Sequence, residues 1–203
     1  MDALQDYLPE GTFAAVLSYL THYQVTLTIT RSRRSILGDY RRPYKGKGHR
    51  ITINGDLNKY AFLLTLLHEL AHLLAFEYYG IRIAPHGKEW KHSFKQLMGQ
   101  FHTAAIFPAD VARAVRQYME DPAARSCTDD HLVRTLRKYD PPRNGVFLIE
   151  ELAEGDIFQV PGGERFVVGR KLRKRYSCKS LRTGNEYLFS PLYEVKKIPK
   201  EDA

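Results

Sequence analysis

The stretch Ala61-Phe62-Leu63-Leu64-Thr65-Leu66-Leu67-His68-Glu69-Leu70-Ala71-His72-Leu73-Leu74-Ala75-Phe76 decides how this chain is read. It is apolar almost all round, the pattern of a helix buried on every side. Thr65, His68, Glu69 and His72 interrupt it, so it is not read as a membrane span. Asn58 can cap such a helix and Gly80 can stop it, which gives a helix from about Lys59 to Tyr79. Two imidazoles and a carboxylate are costly to bury in a core helix unless something satisfies them.

The spacing says what would. Residues four apart on a helix lie about 40° apart around its axis, so His68 and His72 can reach one metal ion. Neutral imidazole is a good zinc ligand. Glu69 points about 100° from His68, beside such an ion without ligating it. A carboxylate there can take a proton from an attacking water and hand it to a leaving amine. The pattern therefore predicts a Zn2+ site with His68 and His72 as ligands and Glu69 as the catalytic base of a peptidase.

A catalytic zinc site needs a third protein ligand and keeps one position open. Ala75 and Tyr78 stand where a metzincin needs glycine and histidine, which excludes that class. The downstream candidates are His86, Glu89 and His92. His86 and His92 would lie about 240° apart around a helix, so they do not serve together. Glu89 would complete a site of two histidines and one glutamate; His92 reads as a solvated helix residue. His86 is favoured, because Ala84-Pro85-His86-Gly87 sharply sets the approach of the chain at a helix start.

Around this helix the sequence is mixed. Leu8 to Tyr23 reads as a helix, Val25 to Arg31 as a half-buried strand and Arg50 to Ile53 as another. The glycine-rich basic segment between them bends, with room for one further strand, and a strand edge within 25–54 would hold an extended peptide. Helices are expected from Gly87 to Met98, from Val111 to Met119 and from Asp129 to Tyr139. Pro141-Pro142-Arg143-Asn144-Gly145 breaks the pattern. Short β-type runs follow, at 146–149, 157–160, 165–168, 176–179, 186–189 and 192–195. They suggest a small antiparallel β-module over 146–197.

At 203 residues the chain can bury a proper core, and 43% hydrophobic with 27% charged residues is ordinary for a globular protein. Met1 to Asp6 lacks the basic and apolar parts of a signal peptide, so a cytoplasmic location and no membrane partner are expected. Cys127 and Cys178 are too few and too far apart for a disulfide framework or a zinc ribbon. The net charge of +8 favours an acidic partner such as DNA. The charge is clustered: Arg31, Arg33, Arg34, Arg41, Arg42, Lys45, Lys47 and Arg50 face the single Asp39 in their segment. Arg170, Lys171, Arg173, Lys174 and Arg175 form a second cluster. Interleaved Tyr40 and Tyr44, and Tyr176 beside the second cluster, could stack on unpaired bases while the cations hold phosphates.

His68-Glu69-Leu70-Ala71-His72, followed by Pro85-His86-Gly87-Lys88-Glu89-Trp90, resembles the SprT-like (Spartan-type) metalloprotease domain. Its pattern is H-E-x-x-H, a loop, then H-G-x-x and Phe or Trp. Ile51-Thr52-Ile53-Asn54 and Leu63-Leu64-Thr65-Leu66-Leu67 are similar to that family too, and the resemblance covers about residues 10–140. It implies an α+β fold: a compact zincin-like protease domain over 1–140, with helices packed on a small sheet. It also implies His86 as the third ligand and Trp90 packed beside the site. Better-known members cleave proteins attached to DNA and often carry a zinc ribbon. Here 146–197 holds only Cys178, so a metal-free counterpart of the ribbon is expected. The expected function is a zinc endopeptidase acting on DNA-associated or DNA-crosslinked proteins. The alternatives are a non-enzymatic DNA-binding module with a structural zinc site and a general cytosolic peptidase.

Overall fold

The structure is a computed structural model that describes residues 2–33, 36–101, 106–120, 122, 129–142 and 144–199. Among them are five α-helices and two sheets, a mixed α+β architecture. The chain divides into two units, Met1–Asp140 and Pro141–Ala203.

The first unit opens with a short 3-10 helix, Asp2–Tyr7, and then α1, Phe13–His22. The helix expected from Leu8 starts five residues later. Gly11 turns the chain at φ +79°, and Thr12 Oγ1 donates to the Pro9 carbonyl at 2.7 Å. Three strands follow: β1 Thr26–Thr30, β2 Gly38–Arg41 and β3 Arg50–Asn54. β3 is central, parallel to β1 and antiparallel to β2 with Gly38 opposite Ile53 and Arg41 opposite Arg50. β2, the further strand expected in the basic segment, is thus paired on one side only among the described residues. Alternation puts Ile51 and Ile53 on the buried face of the sheet.

α2 runs Lys59–Tyr79 and is the axis of the unit. The Asn58 side-chain oxygen accepts from the Tyr60 and Ala61 N–H groups at 3.1 and 3.0 Å. Its amide donates to the Leu136 carbonyl at 3.0 Å and to Asp140 Oδ1 at 2.6 Å, so one side chain caps α2 and ties down the end of α5, Asp130–Arg137. Gly80, at φ +76°, closes the helix by donating to the Phe76 carbonyl. Phe62, Leu63, Leu66, Leu67, Leu70 and Leu73 are fully enclosed, each contributing roughly 1.5–3 kcal/mol by burial. By length and composition α2 would fit a membrane span, but 78% of its apolar window is buried inside the fold, which makes it a core helix.

α3, Lys88–Phe101, packs on α2 through Trp90, Phe94, Leu97 and Phe101, a stripe at helical spacing. α4, Ala109–Glu120, adds Val111, Ala114, Val115 and Tyr118 to the same core. Tyr139 donates its hydroxyl to Asp110 Oδ1 at 2.6 Å, joining the residues after α5 to the start of α4.

The second unit is one antiparallel sheet of β4 Val146–Leu148, β5 Ile157–Gln159, β6 Arg165–Lys171, β7 Tyr176–Ser180, β8 Glu186–Phe189 and β9 Glu194–Ile198. The spatial order is β4-β9-β5-β6-β7-β8. The last strand lies later than the expected 192–195, because the Tyr193 N–H closes a turn on Ser190. The expected 146–149 run ends at Leu148, and Ile149–Glu151 is a 3-10 turn that closes as Glu151 accepts from the Leu148 N–H. Cohesion comes from an apolar core of Ile149, Phe158, Phe166, Val168, Cys178 and Val195.

Candidate metal centre

His68 and His72 stand one turn apart on α2 and face the loop that leads into α3. That loop makes a tight turn in which the Gly87 N–H donates to the Ala84 carbonyl at 2.9 Å. Pro85 takes the position whose φ proline presets, and His86 follows at φ +57°. That left-handed conformation suits glycine or asparagine, so a histidine here is held under strain of order 1 kcal/mol. The Gly87 carbonyl then accepts from the Lys91 N–H and starts α3.

The turn aims His86 at the helix pair. Its Nε2 lies 3.0 Å from His68 Nε2 and 2.9 Å from His72 Nε2. One proton can satisfy these lone pairs only by being shared, whereas one cation meets all three. Around a tetrahedral zinc the nitrogens would stand roughly 3.3 Å apart, a few tenths of an ångström wider than found. The three side chains together can hold a metal ion. Among the described residues no fourth histidine, cysteine or carboxylate joins the cluster. Glu89 stays outside it and His92 is exposed on α3.

Burial pushes the His68 imidazole down to about 3 and His72 down to about 4, with the neighbouring histidines adding to the effect. Both rings are therefore neutral at physiological pH, the form that ligates. Trp90 is fully enclosed against all three, its ring 4.6 Å from His68, 5.5 Å from His72 and 4.7 Å from His86. It stacks in turn on Phe94 at 5.0 Å.

Glu69 points to β2. The backbone N–H of Tyr40 donates to its carboxylate. Burial first, and then Asp39, push this carboxyl up to about 8, while the Tyr40 N–H and Arg33 pull the other way. A nearby dication would favour the ionised form.

Sequence reading overlooked the surroundings. The Tyr40 ring lies parallel to the His72 ring at 6.5 Å and is half-buried. Its hydroxyl meets His49 Nδ1 at 3.0 Å, and His49 Nε2 meets Glu77 Oε1 at 3.2 Å. No local signal marks this chain of contacts, since it depends on the register of β2 on β3. Tyr44, by contrast, is 63% exposed.

The basic residues separate by role. Arg33 is half-buried, with Nε donating to Asn54 Oδ1 at 2.8 Å and a terminal nitrogen to Thr52 Oγ1 at 2.9 Å. Arg41 pairs with Asp39 at 2.7 Å. Arg31, Arg42, Lys45 and Lys47 are exposed. Arg34 and Cys127 lie outside the described residues. Arg170 and Lys171 end β6, and Arg173, Lys174 and Arg175 form the turn into β7, so the whole group is exposed at one hairpin end.

The SprT-like family model matches residues 12–112. Protein SprT of Shigella boydii is 42% identical over 57 residues, 26% of this chain and 34% of that protein. Protein SprT of Erwinia tasmaniensis is 49% identical over 43 residues, 21% of this chain and 25% of its own length. Protein SprT of Escherichia coli is likewise 49% identical over 43 residues, 21% of this chain and 26% of its length. The alignments thus span about a third or less of these relatives. No solved structure matches the chain. The matched segment contains the three-stranded sheet, α2 with His68, Glu69 and His72, and the His86 turn, and through it the chain carries a SprT-like family domain.

Proposed function

We propose that the chain is a zinc-dependent endopeptidase of zincin type that acts on proteins associated with or crosslinked to DNA. The observation that carries the reading is the convergence of His68, His72 and His86 next to a buried glutamate that is not itself a ligand. A structural zinc site would be closed by a fourth ligand and would have no use for Glu69.

A zinc ion on these histidines would supply Lewis-acid chemistry, acidifying water and polarising a carbonyl. The chain does the rest. Glu69, positioned by α2 and the Tyr40 N–H, takes the proton of the attacking water and returns it to the leaving amine. The free side of β2 holds an extended substrate by backbone pairing. The DNA part of the reading rests on charge: Arg31, Arg42, Lys45 and Lys47 in one unit and the 170–175 hairpin in the other are exposed cations suited to phosphate.

The test is metal content together with cleavage of a DNA-bound protein, with and without DNA, for the wild type and Glu69→Gln. One zinc per chain in both, and DNA-stimulated cleavage in the wild type alone, is the expected result. Cleavage indifferent to DNA would leave a general peptidase. A folded, metal-supplied chain that binds no metal would end the reading.

A further inference from the structure

A cleft of about 160 Å³ opens beside the triad. Tyr40, Phe76, Ile83 and Trp90 wall it, His72 reaches it, and Arg42 is the one charged residue among the described residues of its lining. Three polar atoms of this lining are already engaged. The Tyr40 hydroxyl is paired with His49, the Trp90 Nε1 donates to the His68 carbonyl at 3.4 Å, and His72 Nε2 is turned to His86. Among the described residues of the lining there is no carboxylate or side-chain amide. Apart from Arg42, which is exposed to solvent, the described lining offers a polar occupant little compensation for dehydration, whereas an apolar one gains burial.

Size and surroundings narrow the occupant further. An apolar cavity of about 150 Å³ accommodates a benzene ring. The Tyr40 wall is braced through His49 to Glu77, so the cleft is preformed rather than collapsed. Ile81, also on the lining, is 64% exposed, an apolar contact surface that the core does not use. Tyr40 belongs to β2, whose open edge can pair with an extended chain. A chain paired there presents every second side chain to the same face.

Resting on the peptidase reading, we propose that this cleft is a specificity subsite. It receives one apolar side chain of leucine, methionine or phenylalanine size from a polypeptide laid along β2. Bonds next to such a residue are thereby selected for cleavage. Ile83 and Tyr40 determine the size accepted.

Trp90 is the sole tryptophan of the chain and lines the cleft, so its emission reports occupancy without any turnover. The zinc-supplied Glu69→Gln chain is titrated with blocked serine–glycine hexapeptides carrying Leu, Phe, Asp or Lys at one central position. The expected result is an emission shift with the Leu and Phe peptides, at least ten-fold tighter than with Asp. Ile83→Phe, which fills the cleft with an apolar group the fold can carry, abolishes that preference. In parallel, cleavage sites of the wild type are mapped on a denatured protein mixture. Enrichment of large apolar residues at one position, moving to Ala and Ser in Ile83→Phe, supports the subsite. Cleavage with no such enrichment overturns the subsite and leaves the peptidase reading intact. Apolar-selective binding without cleavage supports the subsite and removes the peptidase reading. Equal binding of the Leu, Phe and Asp peptides overturns the subsite.

Discussion

Gly38 lies so close to Glu69 that a Cβ on it would stand 2.9 Å from the carboxylate Oε1 and 2.8 Å from Thr65 Cγ2. Real Cβ atoms essentially never come that close, so β2 can lie against the Thr65–Glu69 turn of α2 only because residue 38 has no side chain. Its backbone is in strand conformation, so space rather than left-handed φ is what glycine supplies here.

Gly38→Ala is expected to push Glu69 out of place while sparing the histidines. Overpacking of this kind costs about 1–3 kcal/mol of stability. Peptide hydrolysis should fall by at least about ten-fold, the scale lost when a general base is misplaced. Zinc content should stay at one per chain. Metal analysis beside kcat/KM checks this, and full activity in the Gly38→Ala chain would refute the close-packing argument.

His86→Asn separates ligation from folding. Asparagine tolerates the φ +57° that strains histidine, so the metal-free chain should melt no lower than the wild type. Zinc affinity should drop by at least about 100-fold, the upper end of what outer-shell changes alone cause. Calorimetric melting with and without zinc reads both. A variant that keeps wild-type zinc affinity would show that His86 is not a ligand.

The Tyr139–Asp110 hydrogen bond gives a pH signature. The Tyr139 hydroxyl holds the Asp110 carboxyl below its ordinary value, so its stabilisation is complete above pH about 4 and is lost as pH falls through the folded-state value. Asp110 in turn pushes the tyrosine up to about 12, so on the alkaline side the bond is complete below pH about 10 and is lost as pH rises towards 12. Tyr139→Phe should therefore lower the melting temperature most between these limits, and least below pH about 4. A penalty that does not change with pH would exclude the bond as its cause.

The 170–175 hairpin can be tested through salt. If Arg173, Lys174 and Arg175 each meet a phosphate, replacing all three by Ser should flatten the slope of log K against log salt by about 2 on single-stranded DNA and about 3 on duplex DNA. Cleavage of a substrate free of DNA should be unaffected. A slope equal to that of the wild type would remove the hairpin from the proposed DNA surface.

What the sequence by itself determined is what lies within one element. Asn58 and Gly80 bound α2 at the residues expected, because a cap and a left-handed stop act over a single turn. His68, Glu69 and His72 keep their relative directions for the same reason: helical periodicity sets them before any tertiary contact forms. The start of α1 was misjudged because apolar spacing from Leu8 outweighed the Pro9 and Gly11 signals. Only the tertiary structure decided what crosses elements. Bringing His86 to within 3.0 Å of His68 takes the packing of α3 on α2 through Trp90 and Phe94. Seating Gly38 on Glu69, Tyr40 on His72 and Arg33 on Thr52 takes the register of β2 on β3 and of that sheet on α2. Residues tens of positions apart meet only when burial of the shared core fixes that register, since a slip of one residue would turn each strand side chain to the opposite face.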